Sequence, residues 1–282
     1  MLGAIIGDMV GSIYEYTKIK TKSFNIYNQN MRMTDDSLLT IAVSKTLLNN
    51  FPIQYDSSSL EKIQHELAER FVNTFMRKPF AGFGGMFIDW CIHSKEKGTI
   101  EPPYNSFGNG SAMRVSPVGW MAKSENEVKL LSKTVTEITH NHPEGLKGAE
   151  AVAMAIYLAL HGSSKEQIKE RMVRDYYPEI KDLSFTYLVE NYKFNATCQG
   201  SVPQAIYCFL ISNGFEDTVR NCIAIGGDCD TIGAMASSIA EAYYQKDNLS
   251  EFEDRFLYFM IEPNVEGLIK EFHKTIGSKK FL

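Results

Sequence analysis

Gly226-Gly227-Asp228-Cys229-Asp230-Thr231-Ile232-Gly233 leads directly into Ala234-Met235-Ala236-Ser237-Ser238-Ile239-Ala240-Glu241-Ala242-Tyr243-Tyr244. The paired glycines permit a sharp turn and a close backbone approach. The small residues behind them read as a helix that another helix can approach closely. A matching surface lies at the other end of the chain. There Leu2 to about Tyr16 reads as a helix with Gly3, Gly7 and Gly11 four residues apart, on one face. Gly233, Ala236, Ser237 and Ala240 are the residues expected to receive that face, which would bring Asp8 and Glu15 toward Asp228 and Asp230.

Outward from these two segments the pattern stays helical. Thr34 is a plausible N-cap with Asp35 and Asp36 in the first turn behind it. Further helices are expected over Ser59–Arg77, to Trp90 after the Ala81–Gly85 turn, and briefly within Ala112–Met121, limited by Pro117. Ser124 with Glu127 and Ser163 with Glu166 read as capping boxes for helices to about Thr139 and Asp175. Glu144–His161 is apolar on most faces and should be a central buried helix. Ser201–Ser212, Phe215–Ala224 and Ser250–His273, the last interrupted near Pro263, complete the set. Lys18–Arg32, Thr99–Gly110 and Tyr176–Gln199 read as irregular. No run alternates apolar and polar residues as a half-buried strand does. The expectation is an all-α fold, one compact orthogonal multi-helix domain over residues 1–282.

Composition bounds the function. A chain of 282 residues with 44% hydrophobic and 22% charged residues reads as an ordinary soluble globular protein. The formal charge of −5 disfavours nucleic-acid binding through a basic surface. Five cysteines without a CxxC pair suggest reduced thiols. The most apolar stretch, Ala149–Leu160, is about half the ~20 residues of a membrane span, and Asp8 interrupts the apolar start of the chain. No membrane partner, a cytoplasmic location and a monomer are the expectations.

The carboxylates carry the chemistry. Asp35, Asp36, Asp228 and Asp230, with the Thr34 and Thr231 hydroxyls, stand at two predicted helix starts, where helix dipoles favour negative charge. Either cluster alone reads as an N-cap. Gathered in one place, four carboxylates would repel unless cations neutralised them. Hard oxygen donors suit Mg²⁺ or Mn²⁺, and two ions could hold a substrate between them. His140 and His142 have no third ligand at a spacing that suits zinc. Arg114 reads as the partner of a carboxylate or a phosphate, with the structural pairing preferred. Cys229 reads as a small buried side chain without a role in the site.

The motifs Gly7-Asp8…Gly11-Ser12…Glu15, Thr34-Asp35-Asp36-Ser37, Gly108-Asn109-Gly110-Ser111-Ala112-Met113-Arg114, His140–Pro143, Ser201-Val202-Pro203 and Gly227-Asp228-Cys229-Asp230-Thr231 follow one another along almost the whole chain. In that order and spacing they resemble the ADP-ribosylglycohydrolase family, which includes the dinitrogenase reductase-activating glycohydrolase and the ADP-ribosyl-acceptor hydrolases. The resemblance implies an all-α fold and a binuclear Mg²⁺ or Mn²⁺ centre, with Thr34, Asp35 and Asp36 as one ligand set and Asp228, Asp230 and Thr231 as the other. It implies a glutamate at Glu15 that ligates a metal or acts on substrate, with Glu15 and Asp228 as candidate catalytic carboxylates. Asp8 then supports ligands or water, or is a helix-surface charge. Gly108, Asn109, Gly110 and Ser111 would cradle the pyrophosphate of ADP-ribose. Phe107 and Tyr104 could stack on adenine, His140 would lie near the terminal ribose, and Ser201 would enter a helix lining the site.

The implied reaction is hydrolysis of the glycosidic bond at the anomeric carbon of that ribose, removing ADP-ribose from arginine or serine of a modified protein. Hydrolysis of small derivatives such as O-acetyl-ADP-ribose, and non-catalytic binding of ADP-ribose, are the alternatives.

Overall fold

The computed structural model describes residues 1–17, 19–244 and 251–277. Lys18 and Ser250, expected above as element boundaries, lie outside the described residues, as does 278–282 of the domain. Fourteen α-helices follow in order among the described residues: α1 (Leu2–Gly11), α2 (Asp35–Asn49), α3 (Ser57–Arg77), α4 (Gly85–Lys97), α5 (Ser116–Met121), α6 (Glu125–Thr136), α7 (Pro143–Leu160), α8 (Lys165–Asp175), α9 (Phe185–Asn191), α10 (Cys198–Leu210), α11 (Phe215–Ile225), α12 (Cys229–Tyr244), α13 (Glu251–Met260) and α14 (Pro263–Thr275). Short 3₁₀ turns cover Asn109–Ser111 and Pro178–Asp182. There is no strand among the described residues, only an isolated antiparallel bridge between Gly108 and Thr197. The fold is all-α, as expected, and none of the described helices is long and apolar enough to cross a membrane.

α1 and α12 are the axis of the molecule. All ten residues of α1 are buried, as is α12 through Ala242. Such all-round burial marks central helices. They run antiparallel, with Gly3 against Ser237, Gly7 against Gly233 and Gly11 against Asp230. A Cβ on Gly7 would stand 2.1 Å from the Gly233 carbonyl oxygen, and one on Gly11 would stand 2.2 Å from the Asp230 Cα. Only glycine permits that backbone contact. α7 and α10 pack on another side of α12, and α2 lies against α1.

Several boundaries differ from expectation for local reasons. α1 ends at Gly11, and Glu15 lies in the turn beyond it. The second capping box is Ser164 with Gln167, each side chain bonded to the other's backbone N–H. Ser163 cannot serve, because its N–H closes α7 by donating to Leu158 O. At α6, Ser124 accepts from Glu127 N, but the Glu127 carboxylate accepts from Lys123 N instead of closing the box. Pro117 sits in the first turn of α5 and starts it rather than limiting it. Thr197 caps α10 three residues earlier than expected, and the irregular 176–199 stretch contains α9. The interruption at Pro263 separates α13 from α14. All five cysteines are free and buried.

Candidate active site and metal centre

Two helix starts face each other across the end of α1. Thr34 caps α2, its hydroxyl accepting from Asp36 N. Gly226 and Gly227 take the left-handed conformation (φ +67° and +79°) and turn the chain into α12. The Lys20 ammonium secures this turn by donating to Ile225 O (2.6 Å) and Tyr192 O (3.1 Å). Thr231 joins the two starts: its N–H bonds Asp230 Oδ1 (3.0 Å), and its hydroxyl reaches Asp36 Oδ2 (3.4 Å).

Asp8 is fully buried at the centre. Its carboxylate accepts from Thr34 N (2.9 Å), the Thr34 hydroxyl (2.6 Å), Ser37 N (3.1 Å) and the Ser37 hydroxyl. The helix-surface alternative for Asp8 is therefore wrong, because Thr34 and Ser37 at the start of α2 cover its carboxylate. Asp8, Asp36 and Asp230 each offer an oxygen within 4.8 Å of the others, and so do Glu15, Asp228 and Asp230. The two groups share Asp230.

The electrostatics of these groups are uniform in sign. Burial and the neighbouring Asp230 push Asp8 up to about 7, against the opposing hydrogen bonds of Ser37 and Thr34. Burial and Asp228 push Asp230 up to about 7. Asp35 and Asp36 are raised well above the usual carboxylate range by burial and by the other aspartates. Asp228 is raised by burial, with the Asn109 amide opposing. Burial and Asp230 also raise Glu15. Asp36 Oδ1 is buried without a hydrogen-bond partner. A buried carboxylate oxygen left bare among other carboxylates fits a divalent cation, which would neutralise the group and occupy that oxygen.

The carboxylates line a cleft of about 500 Å³ together with Tyr104, Ser106, Gly108, Asn109, Gly110 and His140. His140 Nδ1 pairs with the Thr139 hydroxyl (2.8 Å), and its Nε2 faces Gly110 and Gly108. Burial, then Arg114, lower its pKa well below the ordinary value, so the ring is neutral. Asn109 donates to Asp228 Oδ2 at 2.7 Å and to the Ser201 hydroxyl at 3.2 Å. It therefore positions a carboxylate as well as lining the cleft.

Five residues expected to contact ligand are placed differently. Phe107 lies outside the cleft wall and packs edge-on against His142, whose Nδ1 caps α7. The Ser111 and Ser201 hydroxyls are buried and donate to Gly145 O and Thr197 O. The N–H groups of Gly108 and Asn109 donate to the Ser106 hydroxyl and Ala196 O, which removes two donors from the expected cradle. The physical reasons are local: Asn109 N–H is spent where the loop meets the start of α10 beside the Gly108–Thr197 bridge, Ser111 and Phe107 turn to α7 and its cap, and Ser201 bonds back one turn along α10. Among the described residues Arg114 forms no salt bridge with a carboxylate; it donates to the Thr139 hydroxyl (2.7 Å) and lies over the Phe71 ring. Cys229 is buried with its thiol toward Gly11 O.

Sequence reading missed Ser37 as a holder of Asp8, and it missed the apolar rim of the cleft formed by Tyr16, Phe80, Met86 and Phe194. A phenylalanine in the Gly- and Pro-rich stretch Pro79-Phe80-Ala81-Gly82 was the available signal for the rim.

The comparisons with known proteins point one way. ADP-ribosylhydrolase ARH3 of Mus musculus is 26% identical over 320 residues, covering 89% of this chain and 84% of that protein. The ADP-ribosylarginine hydrolase Tri1 of Pseudomonas putida (strain GB-1) is 23% identical over 264 residues, covering 86% of this chain and 69% of that protein. Among solved structures, a chain of an ADP-ribosylglycohydrolase-related protein complex superposes with a TM-score of 0.66 at 19% identity, covering 98% of this chain and 97% of that one, a likeness of fold. The profile of the family described as ADP-ribosylglycohydrolase matches residues 1–257. That span takes in every carboxylate of the site, from Asp8 to Asp230, and by it the chain belongs to the ADP-ribosylglycohydrolase family.

Proposed function

We propose that this protein is a divalent-metal-dependent hydrolase that releases ADP-ribose from a modified protein, at arginine or serine, by cleaving the glycosidic bond of the terminal ribose. The observation that carries the reading is the pair of carboxylate groups sharing Asp230, with Asp36 Oδ1 buried and bare. Thr34, Asp35, Asp36, Asp228, Asp230 and Thr231 would hold two Mg²⁺ ions, or Mn²⁺, with Asp8 behind them. Bound there, the ions would neutralise the carboxylates, polarise ribose oxygens and lower the pKa of water.

The chain's own residues do the rest. Water adds to the anomeric carbon, the bond to the acceptor nitrogen or oxygen breaks, and the acceptor leaves with a proton. Glu15, with a raised pKa and on a turn at the cleft, suits the task of taking the water's proton. Asp228 is the second candidate, and the Asn109 amide holds it in one orientation. The neutral His140, its Nε2 toward the glycines of the cleft, offers a ring nitrogen to a sugar hydroxyl. An oxocarbenium-like transition state gains from a cleft lined by carboxylates. The same reading makes the protein a cytoplasmic monomer that binds no nucleic acid; its five free cysteines support a reducing compartment.

The test is release of ADP-ribose from arginine-, serine- and O-acetyl-linked substrates, with Mg²⁺ and with EDTA. Release from a modified protein that stops in EDTA and in Asp36→Asn is expected. Undiminished release in EDTA would refute the metal-dependent mechanism, and release confined to the O-acetyl derivative would move the substrate to small metabolites.

A further inference from the structure

Phe80 is 96% exposed, more than any other large apolar side chain among the described residues, and Tyr16 is 83% exposed. Both line the cleft, and so does Met86, at 56% exposure. Exposed apolar side chains scattered singly need no explanation, but a group on the rim of one cleft does. The chain fixes where these residues stand. Tyr16 follows Glu15, which sits with Asp228 and Asp230. Phe80 precedes Ala81, whose carbonyl accepts from Asp35 N at 3.0 Å, and Asp35 Oδ1 lies 2.9 Å from where a Cβ on Gly82 would be. Met86 is the second residue of α4, at the end of the same loop. Tyr16 and Phe80 therefore stand in the chain next to residues that touch the carboxylates of the cleft.

We infer that Tyr16, Phe80 and Met86 grip the polypeptide on either side of the modified residue, so that they select protein substrates over small ADP-ribose derivatives. The inference rests on the hydrolase reading above. Bond cleavage beside the carboxylates leaves the acceptor next to these exposed side chains. A free amino acid or an acetyl group ends before it can cover Phe80 and Met86, whereas a peptide continues across them and removes their apolar surface from water. Aromatic side chains on such a rim contribute strongly to peptide contacts. A single-stranded nucleic acid could also stack on aromatics, but the formal charge of −5 and the carboxylates of the cleft oppose its phosphates.

The test compares wild type with Phe80→Ser and Met86→Ser, both at exposed positions that leave the core intact. The readout is the ratio of kcat/KM on an ADP-ribosylated peptide to kcat/KM on the same linkage in the free ADP-ribosyl amino acid. The ratio is expected to fall about tenfold in Phe80→Ser through KM and to fall further in the double variant. An unchanged ratio overturns the inference. So does a larger, Phe80-dependent ratio on an ADP-ribosylated single-stranded oligonucleotide than on the peptide. If wild type turns over no linkage, the hydrolase reading fails by itself. The grip is then read from the ratio of Kd values for the same two ligands, which must still collapse in Phe80→Ser.

Discussion

Gly7→Ala is the sharpest perturbation of the contact that builds the site. The added Cβ would stand 2.1 Å from Gly233 O, 2.3 Å from Gly233 C and 2.8 Å from Ala234 N, against 3.4 Å for an ordinary contact. All three atoms are backbone, so no side chain can swing aside, and α1 and α12 must part by about 1 Å. Overpacking of this kind costs about 1–3 kcal/mol. Alanine recovers about 1 kcal/mol of helix propensity over glycine, so we expect a net loss of up to about 2 kcal/mol. Gly267, inside α14 with nothing within 4 Å of its hypothetical Cβ, is the matched control. Gly267→Ala should gain about 0.5–1 kcal/mol from the same propensity. Urea unfolding followed by circular dichroism separates the two through the midpoint at constant m. Because parting the helices moves Asp8 away from Asp230, Gly7→Ala should also weaken Mg²⁺ binding about tenfold or more. If Gly7→Ala matched Gly267→Ala in stability and bound Mg²⁺ as wild type does, the close helix contact would not be what assembles the carboxylates.

Two further outcomes follow from the same geometry. In metal-free protein Asp8 and Asp230 titrate near 7 rather than at 3.8, so the folded state binds more protons than the unfolded state between those values. Stability should fall as pH rises from about 4 to 7, by on the order of 1 kcal/mol per pH unit per group, and level off above. The Tm increase given by Mg²⁺ should then be larger at pH 8 than at pH 5, and an equal increase at both would contradict the coupling. Asn109→Leu removes the amide that donates to Asp228 and should cost about 10–100-fold in Mg²⁺ affinity with little change in Tm; wild-type affinity would show that the amide does not position that carboxylate.

The helices were legible in the residues because caps and glycines act locally. Thr34 before Asp35-Asp36 marked the start of α2, and the Gly3/Gly7/Gly11 face marked the contact with α12. The adjacency of Asp8, Asp36 and Asp230 follows from that contact. The direction of individual polar groups was not legible. Ser111 and Ser201 read as ligand contacts, yet their hydroxyls turn inward to Gly145 and Thr197. Ser111 turns to Gly145 of α7, a long-range contact that no local pattern announces, and Ser201 takes the i−4 carbonyl of its own helix in preference to the cleft. The Ser163/Ser164 ambiguity has the same origin, since two overlapping capping patterns compete and the closure of α7 selects between them. Exposure of Phe80 is likewise a property of the assembled loop and not of its sequence.

The Thr231–Asp36 contact spans 195 positions. A site stitched from both ends of the chain has a consequence for synthesis and folding. A growing chain holds half a coordination set until α12 emerges, and the ordering entropy of that long closure precedes any gain from the cation. A cation that recognises only the completed arrangement stabilises it in proportion to ln(1 + [L]/Kd). Such a ligand acts late, slowing unfolding more than it speeds folding, so the ion that serves the chemistry also serves as a latch on the finished protein.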